Sequence, residues 1–244
     1  MKDDSDRCGA IVVGASSGIG EAVARALADE GYAVGLTARR VERLREIAVD
    51  LPTDAYVAAM DVAVTQRARE TFDDLCETMD SVDLVVISAG VGPANRDLEW
   101  GPERETIAVN VCGFAAISTA ALAHFERRGS GHLVGISSVA SVFGNGVAPA
   151  YNASKAFVST YLEGLRYRQA GRESEIAITT VEPGYVDTDL AAGEFWMCSP
   201  ETAAEQIVRA IDARREHVYV TRRWRLVAWL LALLPERVLR RPFT

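Results

Sequence analysis

From residue 10 onward, short and almost continuously apolar runs alternate with longer segments in which apolar residues recur every third or fourth position. The runs are AIVV (10–13), AVGLT (33–37), AYVAA (55–59), DLVVI (83–87), HLVGI (132–136), IAITTV (176–181) and HVYV (217–220). Their length and β-branched content predict seven strands. Helical spacing falls near 18–30, 40–50, 65–78, 103–127, 151–170 and 201–214. Strands that alternate with helices are joined by crossovers and pair in parallel. Strands that are apolar on both sides need cover on both faces. The expected architecture is α/β: a single doubly wound domain with a seven-stranded, mostly parallel sheet and helices on both faces. No Pro/Gly/Ser-rich linker or repeat divides it, so residues 1–221 are expected to form one domain, followed by a basic, apolar, helical extension at 222–244.

Composition supports a folded chain: of 244 residues, 49% are hydrophobic and 25% charged. The net charge of −8 argues against a nucleic-acid partner bound through a basic face. The charge is uneven, because residues 222–244 hold six Arg and one Glu, leaving −13 on residues 1–221. Cys8, Cys76, Cys112 and Cys198 form no C-x-x-C pair and stand near no His cluster, so buried thiols are expected and no metal site. The charged segment 1–7 precedes only a short apolar run, unlike a signal peptide, and a cytoplasmic location is expected.

The turn Val13-Gly14-Ala15-Ser16-Ser17-Gly18-Ile19-Gly20 follows the first predicted strand and opens the first helix. Absent side chains let a backbone approach phosphates, and a helix N-terminus offers unpaired N–H groups and a favourable dipole, so a dinucleotide is expected there. At the end of the second strand stand Arg39 and Arg40, with no Asp or Glu. A carboxylate at that point binds a ribose 2′-hydroxyl, whereas Arg suits a 2′-phosphate, so the expected cofactor is NADP(H).

In Tyr151-Asn152-Ala153-Ser154-Lys155, the four-residue spacing puts Tyr151 and Lys155 on one helix face. An ammonium about 4 Å from the phenol is worth at most roughly 4 kcal/mol, or about three pKa units, which would carry Tyr151 towards 7. Of 26 cationic residues only Lys2 and Lys155 are lysines, which marks position 155 as one where a compact ammonium is needed. Ser138 closes the 132–136 strand, where a hydroxyl faces the ligand crevice of an open α/β sheet.

Together these motifs resemble the short-chain dehydrogenase/reductase family, a Rossmann-like group of oxidoreductases, over about residues 9–220. The likeness also takes in Asp61-Val62, Ser88-Ala89-Gly90, Asn110-Val111-Cys112-Gly113 and Pro183-Gly184-Tyr185-Val186-Asp187-Thr188. It implies that Ser138 positions a carbonyl, Tyr151 donates its proton, Lys155 binds the nicotinamide ribose, and Asn110 holds a relay water. It further implies that Asp61 and Val62 bracket adenine, Ala89 and Gly90 lie by the ribose, and Pro183, Gly184, Val186 and Thr188 hold the nicotinamide end. Val13 and Ser88 depart from the family's usual Thr and Asn, leaving the catalytic four intact. A competing reading, a dinucleotide-binding scaffold without activity, does not need all of Asn110, Ser138, Tyr151 and Lys155.

The resemblance places a substrate-covering loop at 185–199, here carrying Phe195, Trp196 and Met197, which suits an apolar carbonyl or alcohol or else packs on the sheet. Residues 224–234 (WRLVAWLLALL) are apolar nearly all round, followed by Arg237, Arg240 and Arg241. As a helix these eleven residues rise about 16 Å, too short for a hydrocarbon core of about 30 Å. Two readings stay open: peripheral contact of 224–241 with an anionic membrane surface, or packing on the protein or on a second subunit of a homo-oligomer.

Overall fold

The strands β1 (Gly9–Val13), β2 (Ala33–Ala38), β3 (Ala55–Ala59), β4 (Leu84–Ile87), β5 (Ser130–Ile136), β6 (Glu175–Pro183) and β7 (His217–Val220) form one sheet in the order β3-β2-β1-β4-β5-β6-β7. Every pairing is parallel, so the expected mostly parallel sheet is wholly parallel. These positions come from a computed structural model that describes residues 8–190 and 195–239. Residues 1–7, Arg240 and Arg241 lie outside the described residues, as do positions 191–194 of the expected loop.

Alternate strand positions feed two cores, one on each face. Ala10 and Val12 pack with α1 (Gly18–Asp29), α2 (Val41–Val49) and α7 (Pro200–Asp212) through Leu27, Leu44 and Ile207. Ile11 and Val13 pack on the opposite side with α3 (Thr65–Thr78), α5 (Phe114–Arg128) and α6 (Pro149–Gln169) through Phe72, Phe125 and Leu162. This explains the continuous apolar runs: both strand faces are dry.

The predicted 103–127 helix differs in detail. It starts earlier, as α4 (Trp100–Ile107), and reaches α5 through a π-helical stretch at Ala108–Gly113. Helical periodicity does not reveal such a stretch, which recurs at functional sites. Trp100–Arg128 is long and apolar enough to cross a membrane, but 56% of its apolar window is buried, as befits a core helix. Helices α6 and α7 also begin before their predicted starts, because Pro149 and Pro200 occupy their first turns. The expectation of buried thiols fails: Cys8 and Cys112 are exposed, and Cys76 and Cys198 half-buried.

His132, on the central strand β5, is buried, and its Nε2 lies 2.7 Å from Thr179 Oγ1. The Thr179 hydroxyl donates to the Arg215 carbonyl, so the ring nitrogen is the donor to Thr179. Burial lowers the His132 pKa from 6.5 to about 4. The unfolded chain binds this proton first, so the neutral ring leaves stability intact above about pH 6.5 and stability falls as the pH drops towards 4, by up to roughly 3 kcal/mol. Thermal melts across that window should show this slope flattened in His132→Leu; an unchanged slope would place the acid sensitivity elsewhere.

Candidate active site

The order of strands reverses between β1 and β4, and the C-terminal ends of β1, β4, β5 and β6 meet at that switch point. After β1, the N–H groups of Gly14 and Ala15 both donate to the Thr37 carbonyl, at 2.8 and 3.1 Å. Gly14 has φ +91°, and a Cβ there would stand 2.5 Å from Ala89 N. Only glycine fits this turn. Ser17 precedes α1 without a side-chain cap, so neither Gly18, Ile19 nor Gly20 loses its N–H to that hydroxyl.

Arg40 crosses from the end of β2 to this turn. Its Nη2 donates to Ser17 Oγ at 2.6 Å and to Ser16 Oγ at 3.0 Å, and its Nε reaches Ser16 Oγ at 3.2 Å. Arg39 is separated from the turn's hydroxyls and faces Glu105 instead, at 3.8 Å and largely exposed. An exposed pair at that distance is worth little and leaves the guanidinium available. Asp61 Oδ1 accepts from Ala63 N at 3.0 Å, shaping the turn into α3, and Val62 is buried beside it.

Ser138, Tyr151 and Lys155 converge, and Ser138 and Lys155 are both buried. Its Nζ donates to the Ile136 carbonyl at 2.9 Å and lies 5.7 Å from the centre of the Tyr151 ring. With no carboxylate beside it, burial alone lowers its pKa from 10.5 to about 8. The Tyr151 phenol does not move towards 7 as the spacing argument expects. Desolvation raises its pKa, a hydrogen bond with Ser138 opposes that rise, and Tyr185 adds to it. The spacing argument assumed an ammonium in direct contact with the phenol, whereas Lys155 is turned to Ile136.

Asn110, in the π-helical stretch, is a clamp. Its Oδ1 accepts from Val91 N at 2.9 Å, and its Nδ2 donates to Val91 O at 2.7 Å and to Ser154 Oγ at 2.9 Å. Ser154 in turn donates to the Tyr151 carbonyl at 2.7 Å. Both amide hydrogens are thus committed to tying the segment after β4 to the helix that carries Tyr151. Gly90 faces this junction, with Asn110 Oδ1 and Lys155 Nζ each 3.5 Å from a Cβ placed on it.

The nicotinamide-end residues of the resemblance also gather here. Ser138 Oγ reaches the Pro183 carbonyl at 3.5 Å, and Gly184 N donates to the Val220 carbonyl at 2.7 Å. Val186 pairs with Cys198, closing the ends of the 185–199 loop, and Thr188 Oγ1 donates to the Val186 carbonyl at 3.3 Å. Phe195 and Trp196 do not pack on the sheet: they stack on one another and meet Trp224 edge-on.

Four supports escaped the sequence reading. Gly92 lies against the Tyr151 ring so closely that a Cβ would be 2.3 Å from Tyr151 Cδ2. Asn152 donates to the carbonyls of Ala140 and Phe143, both at 3.0 Å, fixing the turn after Ser138. Ser154 carries the only sequence signal, being three residues after Tyr151 where a hydroxyl can bond back to a helix carbonyl. Glu182, buried on β6, accepts from Ser159 at 2.7 Å and Ser141 at 3.0 Å, while Ser137 meets Ser159 at 2.7 Å and donates to the Lys155 carbonyl at 2.9 Å.

Known proteins share this fold. Residues 9–197 match the family described as short chain dehydrogenase. An uncharacterized oxidoreductase of Mycobacterium tuberculosis is 35% identical over 245 residues, covering 95% of each chain. An alcohol dehydrogenase from the archaeon Thermococcus sibiricus, complexed with 5-hydroxy-NADP, is 27% identical with a TM-score of 0.78, over 87% of this chain and 95% of that one. A 3-ketoacyl-ACP reductase from Sinorhizobium meliloti is 28% identical with a TM-score of 0.76, over 86% and 96% of the two chains. With its parallel sheet, its Gly-rich turn and its family match over most of its length, the chain belongs to the short-chain dehydrogenase/reductase family of NAD(P)(H)-linked oxidoreductases.

Proposed function

We propose that the protein is an NADP(H)-dependent oxidoreductase that interconverts a carbonyl and a secondary alcohol on an apolar substrate, with Tyr151 as general acid and base. The observation that carries this reading is the convergence of Ser138, just past the end of β5, with Tyr151 and with Lys155, which is buried one helical turn away with its Nζ 5.7 Å from the centre of the Tyr151 ring. The residues present fit a dinucleotide: the turn at Gly14 is open to a close backbone approach, and no side chain caps α1.

When bound, NADP(H) supplies or accepts the hydride. The residues that would hold it are Gly14, Ser16, Ser17, Gly18, Ile19 and Gly20 at the phosphates, Asp61 and Val62 at the adenine, and Ala89 and Gly90 at the ribose. Pro183, Gly184, Val186 and Thr188 would hold its nicotinamide end. Ser138 orients the substrate oxygen by a hydrogen bond and shares developing alkoxide charge. Tyr151 gives its proton to that oxygen in reduction and takes it back in oxidation. Lys155 uses one of its three N–H donors on Ile136, leaving two for the ribose and the phenol side. Its charge favours the phenolate that Tyr151 becomes after donation.

NADP(H) is preferred because Arg40 already lies on the Ser16–Ser17 turn, with Arg39 beside it and no carboxylate at the end of β2. A charge-assisted hydrogen bond is worth about 1.5–3 kcal/mol. Arg40→Ala and Arg39→Asp should therefore each weaken NADPH binding by about 10- to 100-fold while changing NADH affinity far less. Fluorescence titration of both cofactors checks this; an unchanged NADPH/NADH preference in both variants would contradict the assignment. The apolar substrate class rests on the exposed pair Phe195 and Trp196 and on Tyr185 beside Tyr151.

A further inference from the structure

The helix α8 (Trp224–Leu233) has two apolar faces, and the protein covers one of them. Trp224 and Ala228, one turn apart, are buried against the body, with the Trp224 indole pressed on Gly184. On the opposite side Leu226, Trp229, Leu230 and Leu233 form a continuous stripe at helical spacing and are 72%, 63%, 59% and 79% exposed. Arg222, Arg223 and Arg225 flank the stripe at its N-terminal end, and Arg225 lies over the Trp229 ring at 5.7 Å from its centre.

This surface joins the mouth of the site. Tyr185, which influences the Tyr151 phenol, meets Trp224 edge-on at 5.6 Å. Trp224 meets Phe195 and Trp196, both exposed, and Arg223 donates to the Trp196 carbonyl at 3.0 Å. The exposed aromatics and the outer stripe of α8 therefore lie on either side of one buried indole.

We propose that the outer face of α8, with Phe195 and Trp196, is a docking surface for an anionic lipid bilayer that sets the active-site mouth against the membrane. A stripe of Leu and Trp edged by Arg is what an interfacial helix presents, its apolar side entering the acyl boundary and its cations meeting lipid phosphates. Charge selects this occupant over a second copy of the chain. A two-fold contact through α8 would gather Arg222, Arg223 and Arg225 of both copies around one apolar seam, whereas residues 1–221 carry −13. An anionic surface instead attracts these Arg and repels the acidic body, which orients the molecule. The surface does not depend on the hydride chemistry, so its failure and the failure of the catalytic assignment are separate results.

The test uses the full chain, because truncation before Trp224 would uncover Gly184. Co-sedimentation with vesicles of phosphatidylcholine alone, and of phosphatidylcholine mixed with phosphatidylglycerol, is measured for wild type, for Trp229→Gln/Leu230→Gln/Leu233→Gln, and for Arg222→Glu/Arg225→Glu. Wild type should bind the anionic vesicles at least about tenfold more tightly than the neutral ones, and each variant should lose about tenfold or more. Wild type remaining in solution with both vesicles, or both variants binding like wild type, overturns the proposal. Sedimentation velocity showing wild type as a dimer and the Gln variant as a monomer, with no vesicle binding, would assign the face to a second copy and overturn it equally.

Discussion

Tyr151→Phe should lower kcat by about 10²–10⁴ while raising the Kd for NADPH by no more than about tenfold. The substitution removes a single hydroxyl. The ring keeps its seat against Gly92, and the main chain keeps the Ser154 bond to the residue 151 carbonyl, so the helix has no reason to shift. What is lost is the proposed proton donor, beside Ser138 where a substrate oxygen would be held. The residues proposed to hold the cofactor, along the Gly-rich turn and at Arg39 and Arg40, are untouched. Steady-state turnover and cofactor titration on the same preparation separate the two effects. Equal losses in both would mean that Tyr151 serves binding and not proton transfer.

Lys155→Met should also abolish most turnover, by about 10²–10⁴, and should at the same time make the cofactor-free protein more stable at pH 7. The wild-type ammonium sits 6% exposed without an anionic partner, and burial depresses its pKa to about 8. Because the folded pKa lies below the unfolded value of 10.5, the penalty is fully present below pH 8. It is relieved as the pH rises from about 8 to 10.5, a span worth roughly 3 kcal/mol. Methionine fills similar space without charge but leaves the Ile136 carbonyl without its donor, a loss of about 1 kcal/mol. The net gain at pH 7 should be about 1–2 kcal/mol, roughly 2–6 °C in Tm, and should shrink as the pH approaches 10.5. A variant less stable than wild type at pH 7 would mean that Lys155 supports the fold instead of straining it.

Much of this architecture was legible from periodicity because both strand faces are covered, so strands read as unbroken apolar runs and helices as repeating ones. The π-helical stretch at Ala108–Gly113 was not legible, since it shifts hydrogen bonds without altering which residues are apolar. At the site, residue types whose chemistry is specific, such as Tyr151, Lys155 and Ser138, could be picked out by position relative to strand ends. Residues that act through geometry could not. Gly92 is required by a ring that arrives from another segment, and Glu182 gathers hydroxyls from two separate stretches of chain. The pairing of Arg40 with Ser16 and Ser17 likewise depends on how β2 lies beside β1. The pKa argument failed for a related reason: helix spacing places Tyr151 and Lys155 on one face but does not say that Ile136 takes the ammonium's hydrogen bond.

Of the two readings of the C-terminal segment, packing on the protein describes one face of α8, and membrane contact stays a proposal for the other. One face packs on the body through Trp224 and Ala228, and the other, carrying Leu226, Trp229, Leu230 and Leu233, faces outward. A segment apolar all round gives no hint of which side is covered, because periodicity carries no information where every position is apolar.

The most direct test of the central claim is hydride transfer itself. Wild-type protein is supplied with NADPH carrying deuterium at the transferable position and with a panel of apolar ketones and aldehydes, and the products are analysed by mass spectrometry. The account predicts an alcohol bearing one deuterium on the former carbonyl carbon, at a rate that Tyr151→Phe lowers by about 10²–10⁴. Deuterium transfer at the same rate in wild type and Tyr151→Phe, or binding of NADPH with no transfer to any carbonyl in the panel, would contradict it.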